Sequence, residues 1–493
     1  MGDPSGGYCF GRRSAVQNPI KRQAEGEGEV SKRLVAEMER QHEIFLRSVK
    51  QKTHMASPMS PLSPNDLSSP SPSSLKDSSM RNQLQELERR LLCDDDEEDE
   101  ASASDSVVTN SEWGETISSS SSSSLKTSRQ LLLDTAAAIG DGNLEAAQAN
   151  LTLLKRAADP RGDPEQRLTA IMVAALNYCL DQPPTRKLIA ADLYSADHRA
   201  ATCLLHEISP CFKLALLAAN FSILEAARDH TKLHVIDFDL GGGAQLAALI
   251  HALADRHVPS LKITAVADPT SSFIINSFNS VGERLKILAD RVGVSLRFSM
   301  VSRKEVKLDR ASLGCESDEA LAVNLPFVLS RVADESVSPA NPRDELLRRV
   351  RSLSPHVVTL VEQDMNVNTS PFSLRFAEAC GHYGSIMDSL AAIVGRVSAE
   401  RIRIETALAW KAVNVVACEG ADRVERCEVF GKWRARMGMA GFRPVPLGSA
   451  VVDPVRVRLD SIRPNPGFMA KEENGGLGFG YMGRVLTYVS AWR

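Results

Sequence analysis

The sequence predicts an α/β fold: a doubly wound, mostly parallel sheet with an N-terminal helical cap, a C-terminal β-hairpin and a disordered N-terminal tail. Three observations carry this reading. Leu233 to Phe238 is a short apolar run, β-branched at Val235 and Ile236, of the kind that forms a parallel strand covered on both faces. Gly241-Gly242-Gly243 follows at once, and Ala244 to Ala254 then carries Leu246, Leu249, Ile250 and Leu253 at helical spacing. Further on, apolar strands alternate with helical patterns until Asn474-Gly475-Gly476, a hairpin turn signal near the end of the chain.

Residues 1–127 read as a disordered regulatory tail. Ser-Pro steps at Ser57, Ser60, Ser63, Ser69 and Ser71 favour extended, solvated chain and are candidate sites for proline-directed phosphorylation. The acidic run Asp94–Glu100 and the serine run Ser118–Ser124 offer no apolar surface to offset the entropy of ordering. Two amphipathic stretches, Val30–Val49 and the stripe Met80, Leu84, Leu87 and Leu91, read as single surface helices, and Trp113 stands alone as a docking element at most.

Order begins at Ser128, and residues 128–232 form the helical cap. Leu131–Ile139 stops at Gly140-Asp141-Gly142, and Asn143 caps a second helix through Leu144, Ala147, Leu151 and Leu154. Asp163-Pro164-Glu165-Gln166 supplies a capping residue, a proline at the first helical position and the glutamine of a capping box. Ser209-Pro210 opens a further helix to about Arg228.

Residues 233–493 form the α/β core. After the first strand–turn–helix unit come strands Lys262–Ala267, Ser295–Val301, Ala320–Val323 and Val357–Val361, with helices Gly282–Val292 and Pro342–Leu353 between them. Helices Phe372–Leu390, Glu400–Ala417 and Cys427–Ala440 follow, and strands Phe468–Glu472 and Leu477–Trp492 flank the glycine turn.

Composition excludes several classes. A net charge of −4 gives no general attraction to nucleic acid or anionic membrane. The nine cysteines stand singly, without the paired spacing of a zinc site, and read as reduced thiols of an intracellular protein. No stretch approaches the ~18 apolar residues of a membrane span. Hydrophobic residues at 43% still suffice for a large core.

The turn Asp237-Phe238-Asp239-Leu240-Gly241-Gly242-Gly243 resembles the acidic, glycine-rich first loop of S-adenosylmethionine-dependent methyltransferases. Asp268, after the second strand, falls roughly where an acid would meet a ribose hydroxyl. The structural alternative is that the glycines make the turn and Asp237 or Asp239 accepts from helix amides. No Asn-Pro-Pro-Tyr segment, no placed Ser/His/Asp set and no metal spacing accompanies the loop, so catalytic, cofactor-binding and metal-ligating residues are not assigned. His234 reads as a satisfied core histidine. Arg423, Arg426, Lys432, Arg434, Arg436 and Arg443 are interleaved with Asp422, Glu425 and Glu428, which predicts a solvated, salt-bridged face in place of a phosphate patch.

From Ser128 to Arg493 the chain resembles the GRAS family of plant transcriptional regulators, specifically its scarecrow-like members. Leu233-His234-Val235-Ile236-Asp237 corresponds to the VHIID signature, flanked by leucine-rich helices. Val323-Asn324-Leu325-Pro326-Phe327 with Leu329 resembles the segment opening the PFYRE block. That block continues with Pro355, Val361-Glu362-Gln363-Asp364, Phe376, Tyr383 and Arg423-Val424-Glu425-Arg426. Trp433, Gly441 and Ser490-Ala491-Trp492 form the SAW block. The chain departs from the family after Leu240: of the usual Gln-Gly-Leu-Gln-Trp-Pro only Gly243 and Gln245 survive, and an expected tryptophan is Tyr481. The resemblance implies a nuclear, non-catalytic regulator without a cofactor. It also implies partners: zinc-finger or other DNA-binding transcription factors that hold the DNA, and a second GRAS chain as homo- or hetero-dimer. A methyltransferase or small-molecule binder on the same fold is the alternative.

Overall fold

The computed structural model describes residues 127–180, 192–256, 260–267, 272–302, 308–395, 398–462 and 467–493. The Ser-Pro, acidic, polyserine, Trp113 and amphipathic features of the tail, and Asp268, lie outside the described residues.

The cap contains α1 (Ser128–Gly140), α2 (Leu144–Ala157), α3 (Pro164–Leu180), α4 (Ala196–Ile208) and α5 (Pro210–Ala226). Local chemistry sets their starts. Asn143 Oδ1 accepts from Ala146 N–H at 3.1 Å. The capping box closes reciprocally, with Gln166 N–H donating to Asp163 Oδ1 at 2.9 Å and Asp163 N–H to Gln166 Oε1 at 3.0 Å. The central helix α5 is buried nearly all round, because Phe212, Leu214, Leu217, Phe221 and Leu224 meet the sheet while Pro210 lets it start abruptly.

The sheet follows as β1 (Lys232–Asp237), α6 (Ala244–Asp255), β2 (Ser260–Ala267), α7 (Ser272–Val292), β3 (Ser295–Ser302), β4 (Ala320–Pro326), α8 (Pro342–Ser352) and β5 (Val357–Gln363). Then come α9 (Phe372–Ala391), α10 (Ala399–Ala417), α11 (Phe430–Met439), β6 (Pro444–Val445), α12 (Ser449–Ser461), β7 (Phe468–Glu473), β8 (Gly476–Tyr481) and β9 (Arg484–Trp492). Strand order is β3-β2-β1-β4-β5-β9-β8-β7, with β6 also on β9. The first five strands pair in parallel and the rest antiparallel. β1 occupies the middle of the parallel part, so the reversal of strand order beside it opens the sheet's ligand-binding position at its carboxyl edge.

Three expectations need correction. The stretch Leu477–Trp492 is not one strand: it breaks at Met482-Gly483, both in the left-handed region (φ 48° and 84°), so the terminal hairpin is a three-stranded meander with two turns. The helical layer is not confined to residues 128–232, because α9 packs on α1 and α3, and α10 packs on α3 and α4. The helix read from Cys427 starts at Phe430, the preceding residues being extended, with Cys427 O accepting from Val367 and Asn368 N–H at 3.2 Å each.

Candidate functional site

The carboxyl end of β1 leads into the acidic glycine turn. Asp237 Oδ1 accepts from Asp239 N–H at 2.9 Å, and Asp239 Oδ1 accepts from Gly241 N–H at 3.0 Å. Gly243 N–H donates to Leu240 O at 2.8 Å, and Gly241 and Gly243 have φ 53° and 88°, conformations that favour glycine. Above the turn lies α4: a Cβ on Gly242 would stand 3.3 Å from Glu207 Oε1 and 3.8 Å from Cys203 Cβ. The amides of Asp239 and Gly241 are thus taken by the loop's own carboxylates.

Asp239 also ties the cap to the core. It pairs with Arg199 of α4 at 2.8 Å and with Arg331 of the 3-10 turn Leu329–Arg331 that follows β4. Burial alone would raise its carboxyl, but the two guanidiniums outweigh burial and hold it well below the usual carboxylate range. Asp237 pairs with no cation among the described residues. Burial pushes it up to about 7, against opposing hydrogen bonds from Asn324 (2.8 Å) and Asp239 N–H. Asn324 on β4 is the hub of this layer, donating also to Gln245 Oε1 at 3.0 Å and accepting from Thr359 Oγ1 at 2.8 Å.

Between α4, α5 and the carboxyl ends of β1 and β4 sits a cavity of about 220 Å³. Phe327, at φ 54°, turns its ring against His206, centroid to centroid 4.3 Å, and His206 stacks on Phe212 at 5.4 Å. Burial lowers His206 to about 3 and, with Lys411 close by, His198 to about 4. Lys411 of α10 reaches Glu425 at 2.9 Å on the cavity's far wall.

A pH dependence follows from Asp237. The folded state holds its proton more tightly than the unfolded chain, so this group's contribution is favourable below about pH 4 and is lost as pH rises through about 7. In Asp237→Asn the amides of Asn324 and Gln245 can flip to re-pair. Urea unfolding of both proteins is therefore expected to show the variant gaining on wild type from pH 4 to pH 8, by an amount on the order of 4 kcal/mol. A pH-independent difference would contradict the assignment.

The residues singled out from the sequence are mostly structural. Leu233, Val235 and Ile236 are core. His234 is fully buried, its ring nitrogens 2.7 Å from Glu319 Oε1 and 2.8 Å from Thr264 Oγ1. Pro355, Phe376, Tyr383, Ser490, Ala491 and Trp492 are buried. Gly441, at φ 88°, offers its carbonyl to Arg351 Nε at 2.9 Å. Among the charged residues of the VHIID, PFYRE and SAW blocks, Glu425 lines the cavity, and Asp237 is joined through Asn324 to Gln245, which lines it too. Arg199, Arg331 and Lys411 were not found from the sequence. No motif marks them, because they reach Asp239 and Glu425 only through the tertiary fold.

The basic stretch corrects a further expectation. Arg423, Arg426 and Arg436 are 4%, 3% and 7% exposed, so they form no solvated face. Arg423 donates to Asn368 O at 2.7 Å and Cys418 O at 3.0 Å. Arg436 joins Glu428 at 2.7 Å, Glu335 at 2.8 Å and Asp334 at 3.3 Å. Asp334 pairs in turn with Arg343 at 3.1 Å, and the Arg343 guanidinium lies 5.1 Å from the centroid of Trp433. Among the described residues this is a buried ionic network joining β4's loop, α8 and α11.

Residues 128–493 match the GRAS domain family. The chain belongs to the GRAS family. This GRAS chain is 40% identical over 374 residues to Scarecrow-like protein 1 of Arabidopsis thaliana, an alignment covering 74% of this chain and 63% of that protein. It is 38% identical over 381 residues to the Scarecrow-like transcription factor PAT1 of Arabidopsis thaliana, covering 73% of this chain and 75% of that one. The crystal structure of SCL7 from Oryza sativa superposes with a TM-score of 0.65 at 31% identity, covering 75% of this chain and all of that one. The mixed sheet described above is thus the scarecrow-like GRAS architecture, and the family's homologues are plant transcriptional regulators.

Proposed function

We propose that this GRAS chain is a nuclear transcriptional regulator that performs no catalysis and works through protein partners. Those partners are zinc-finger or other DNA-binding transcription factors, with pairing to a second GRAS chain as a further mode and DNA held mainly through the partner. The observation that carries this reading is the state of the β1 turn. Its acidic side chains are spent on the turn's own amides and on Arg199 and Arg331, and Glu207 of α4 stands close over Gly242. A nucleotide-type cofactor needs those amides and carboxylates free. The strand order leaves the methyltransferase fold as an analogy of architecture, which does not fix chemistry.

A gel mobility assay on a responsive promoter fragment tests the proposal. The purified chain alone should leave the fragment's migration unchanged, and adding a zinc-finger partner that binds the fragment should produce a further, slower complex. Retardation by the chain alone at nanomolar concentration would mean that it reads DNA itself.

A further inference from the structure

Away from the β1 turn, one exposed carboxylate holds two buried guanidiniums. Glu419 follows α10, and its Oε1 accepts from Arg375 Nη2 of α9 while its Oε2 accepts from Arg423 Nη2. Among the described residues it is the ion-pair partner of both, and no other acid pairs with either. The two arginine side chains are 4% exposed and the glutamate side chain 60%. Arg426 lies close enough to repel Arg423 and makes no ion pair among the described residues; it donates to Gly420 O and, at 3.5 Å, to Ser336 Oγ. Asp334, the other acid that acts on Arg426, is held by Arg343 and Arg436.

This arrangement is short of negative charge. Burial, and after it Arg375, pushes Arg423 down to about 10, with Glu419 opposing and Arg426 adding to the depression. Nε of Arg375 is buried with no hydrogen-bond partner among the described residues, although its Nη1 reaches Ser370 O at 3.0 Å and its Nη2 Val416 O at 3.4 Å. Arg423 is anchored in the same way, Nε on Cys418 O at 3.0 Å and Nη1 on Asn368 O at 2.7 Å. Backbone carbonyls therefore hold both guanidiniums in place without Glu419. The glutamate has room to swing out, because the next residue, Gly420 at φ 51°, borders open space: an added Cβ there would meet no atom within 4 Å.

We propose that the seat of the Glu419 carboxylate is an oxyanion site that takes a phosphate dianion, with Arg375 and Arg423 each donating an Nη2–H to it and Arg426 adding positive charge. Charge selects the ligand. A carboxylate or a phosphodiester carries one negative charge, no more than Glu419 supplies, whereas a phosphomonoester carries about 1.5 to 2 at pH 7 and matches two guanidiniums. One seat between two recessed arginines is also unlike the row of cations that a nucleic-acid backbone meets. The dianion comes either as the free ion or as the phosphorylated side chain of a protein, which present the same chemistry to the arginines. The site stands or falls separately from the partner reading, since it makes no use of the β1 turn or of the cap.

Calorimetric titration of the full chain at constant ionic strength, slightly above neutral pH, tests this with inorganic phosphate, with phosphoserine blocked at both ends, and with dimethyl phosphate as the monoanionic control. One phosphate per chain is expected, bound at least about ten-fold more tightly than dimethyl phosphate. Blocked phosphoserine binding as well as phosphate makes the source a phosphorylated side chain; phosphate binding without it makes the source the free ion. Glu419→Gln removes a tethered competitor, so it should tighten phosphate binding by about ten-fold, and phosphate should raise the melting temperature of this variant more than that of wild type. Should that variant not fold, Glu419→Asp carries the decision: it keeps the charge but falls short of the guanidiniums, and should tighten phosphate binding by about three-fold. No saturable phosphate heat in the folded wild type and variant, or equal affinity for phosphate and dimethyl phosphate, would overturn the proposal. Unchanged phosphate affinity in the folded variant would overturn it too, because the anion would then sit elsewhere.

Discussion

Replacing Asp334 by alanine is expected to lower the unfolding free energy by about 3–5 kcal/mol, because it strips a buried ionic network of its central anion. Asp334 is fully buried and faces Arg343 at 3.1 Å and Arg436 at 3.3 Å, with Ser336 donating through Oγ at 2.6 Å and N–H at 3.1 Å and Asn368 donating as well. Burial would raise its carboxyl, but these donors and Arg343 hold it below its ordinary value. Removing it leaves Arg343, also fully buried, with Glu428 at 3.7 Å as its remaining ion-pair partner among the described residues. The loss is a large share of the roughly 5–15 kcal/mol that a folded domain has in hand. Urea unfolding reads it directly. The double variant Asp334→Leu with Arg343→Met should recover most of the loss, since an apolar pair of similar volume avoids the orphaned charge. A single-variant change below about 1 kcal/mol would show the network to be hydrated and not buried.

The second large effect is at the other end of the sheet. Trp492 is 2% exposed at the last position of β9, where its backbone pairs with Val358 of β5 on one side and Pro444 of β6 on the other. Its indole N–H donates to Ser490 Oγ at 2.9 Å, so the ring is buried without an unsatisfied donor. Trp492→Ala removes that ring from the core shared with Trp433, Leu360 and Phe442, and should cost about 3–5 kcal/mol. Thermal unfolding beside a partner-binding assay checks it. An unchanged melting temperature with lost partner binding would make the SAW end an interface and this core assignment mistaken.

What could be read from the sequence was what local chemistry decides. The β1 strand, its glycine turn and α6 are encoded within one contiguous stretch, Lys232–Asp255, and the Asp163–Gln166 capping box closes through the side chains of Asp163 and Gln166. The Asn474-Gly475 turn carries its signature, with both residues at positive φ. Met482-Gly483 makes a similar turn, but methionine rarely adopts φ 48°, so nothing in the residue types announced the break between β8 and β9. Helix α12 was missed because Pro454 lies inside it and interrupts the pattern. The site was the least legible part. Asp239 lies 40 residues from Arg199 and 92 from Arg331, and only the folded cap brings the three together. Arg436 shows the same in part: charge alternation looks alike on a solvated face and around a buried carboxylate, and beside Glu428 of its own stretch it meets Asp334 and Glu335, which the fold brings from the β4 loop.

The central claim is that the β1 turn is occupied by its own side chains, and calorimetric titration of the purified full chain with S-adenosylmethionine tests it most directly. No saturable heat is expected at millimolar ligand, for wild type and Gly241→Val alike. Stoichiometric binding that Gly241→Val abolishes, accompanied by methyl transfer to any acceptor, would contradict it and make this chain an enzyme.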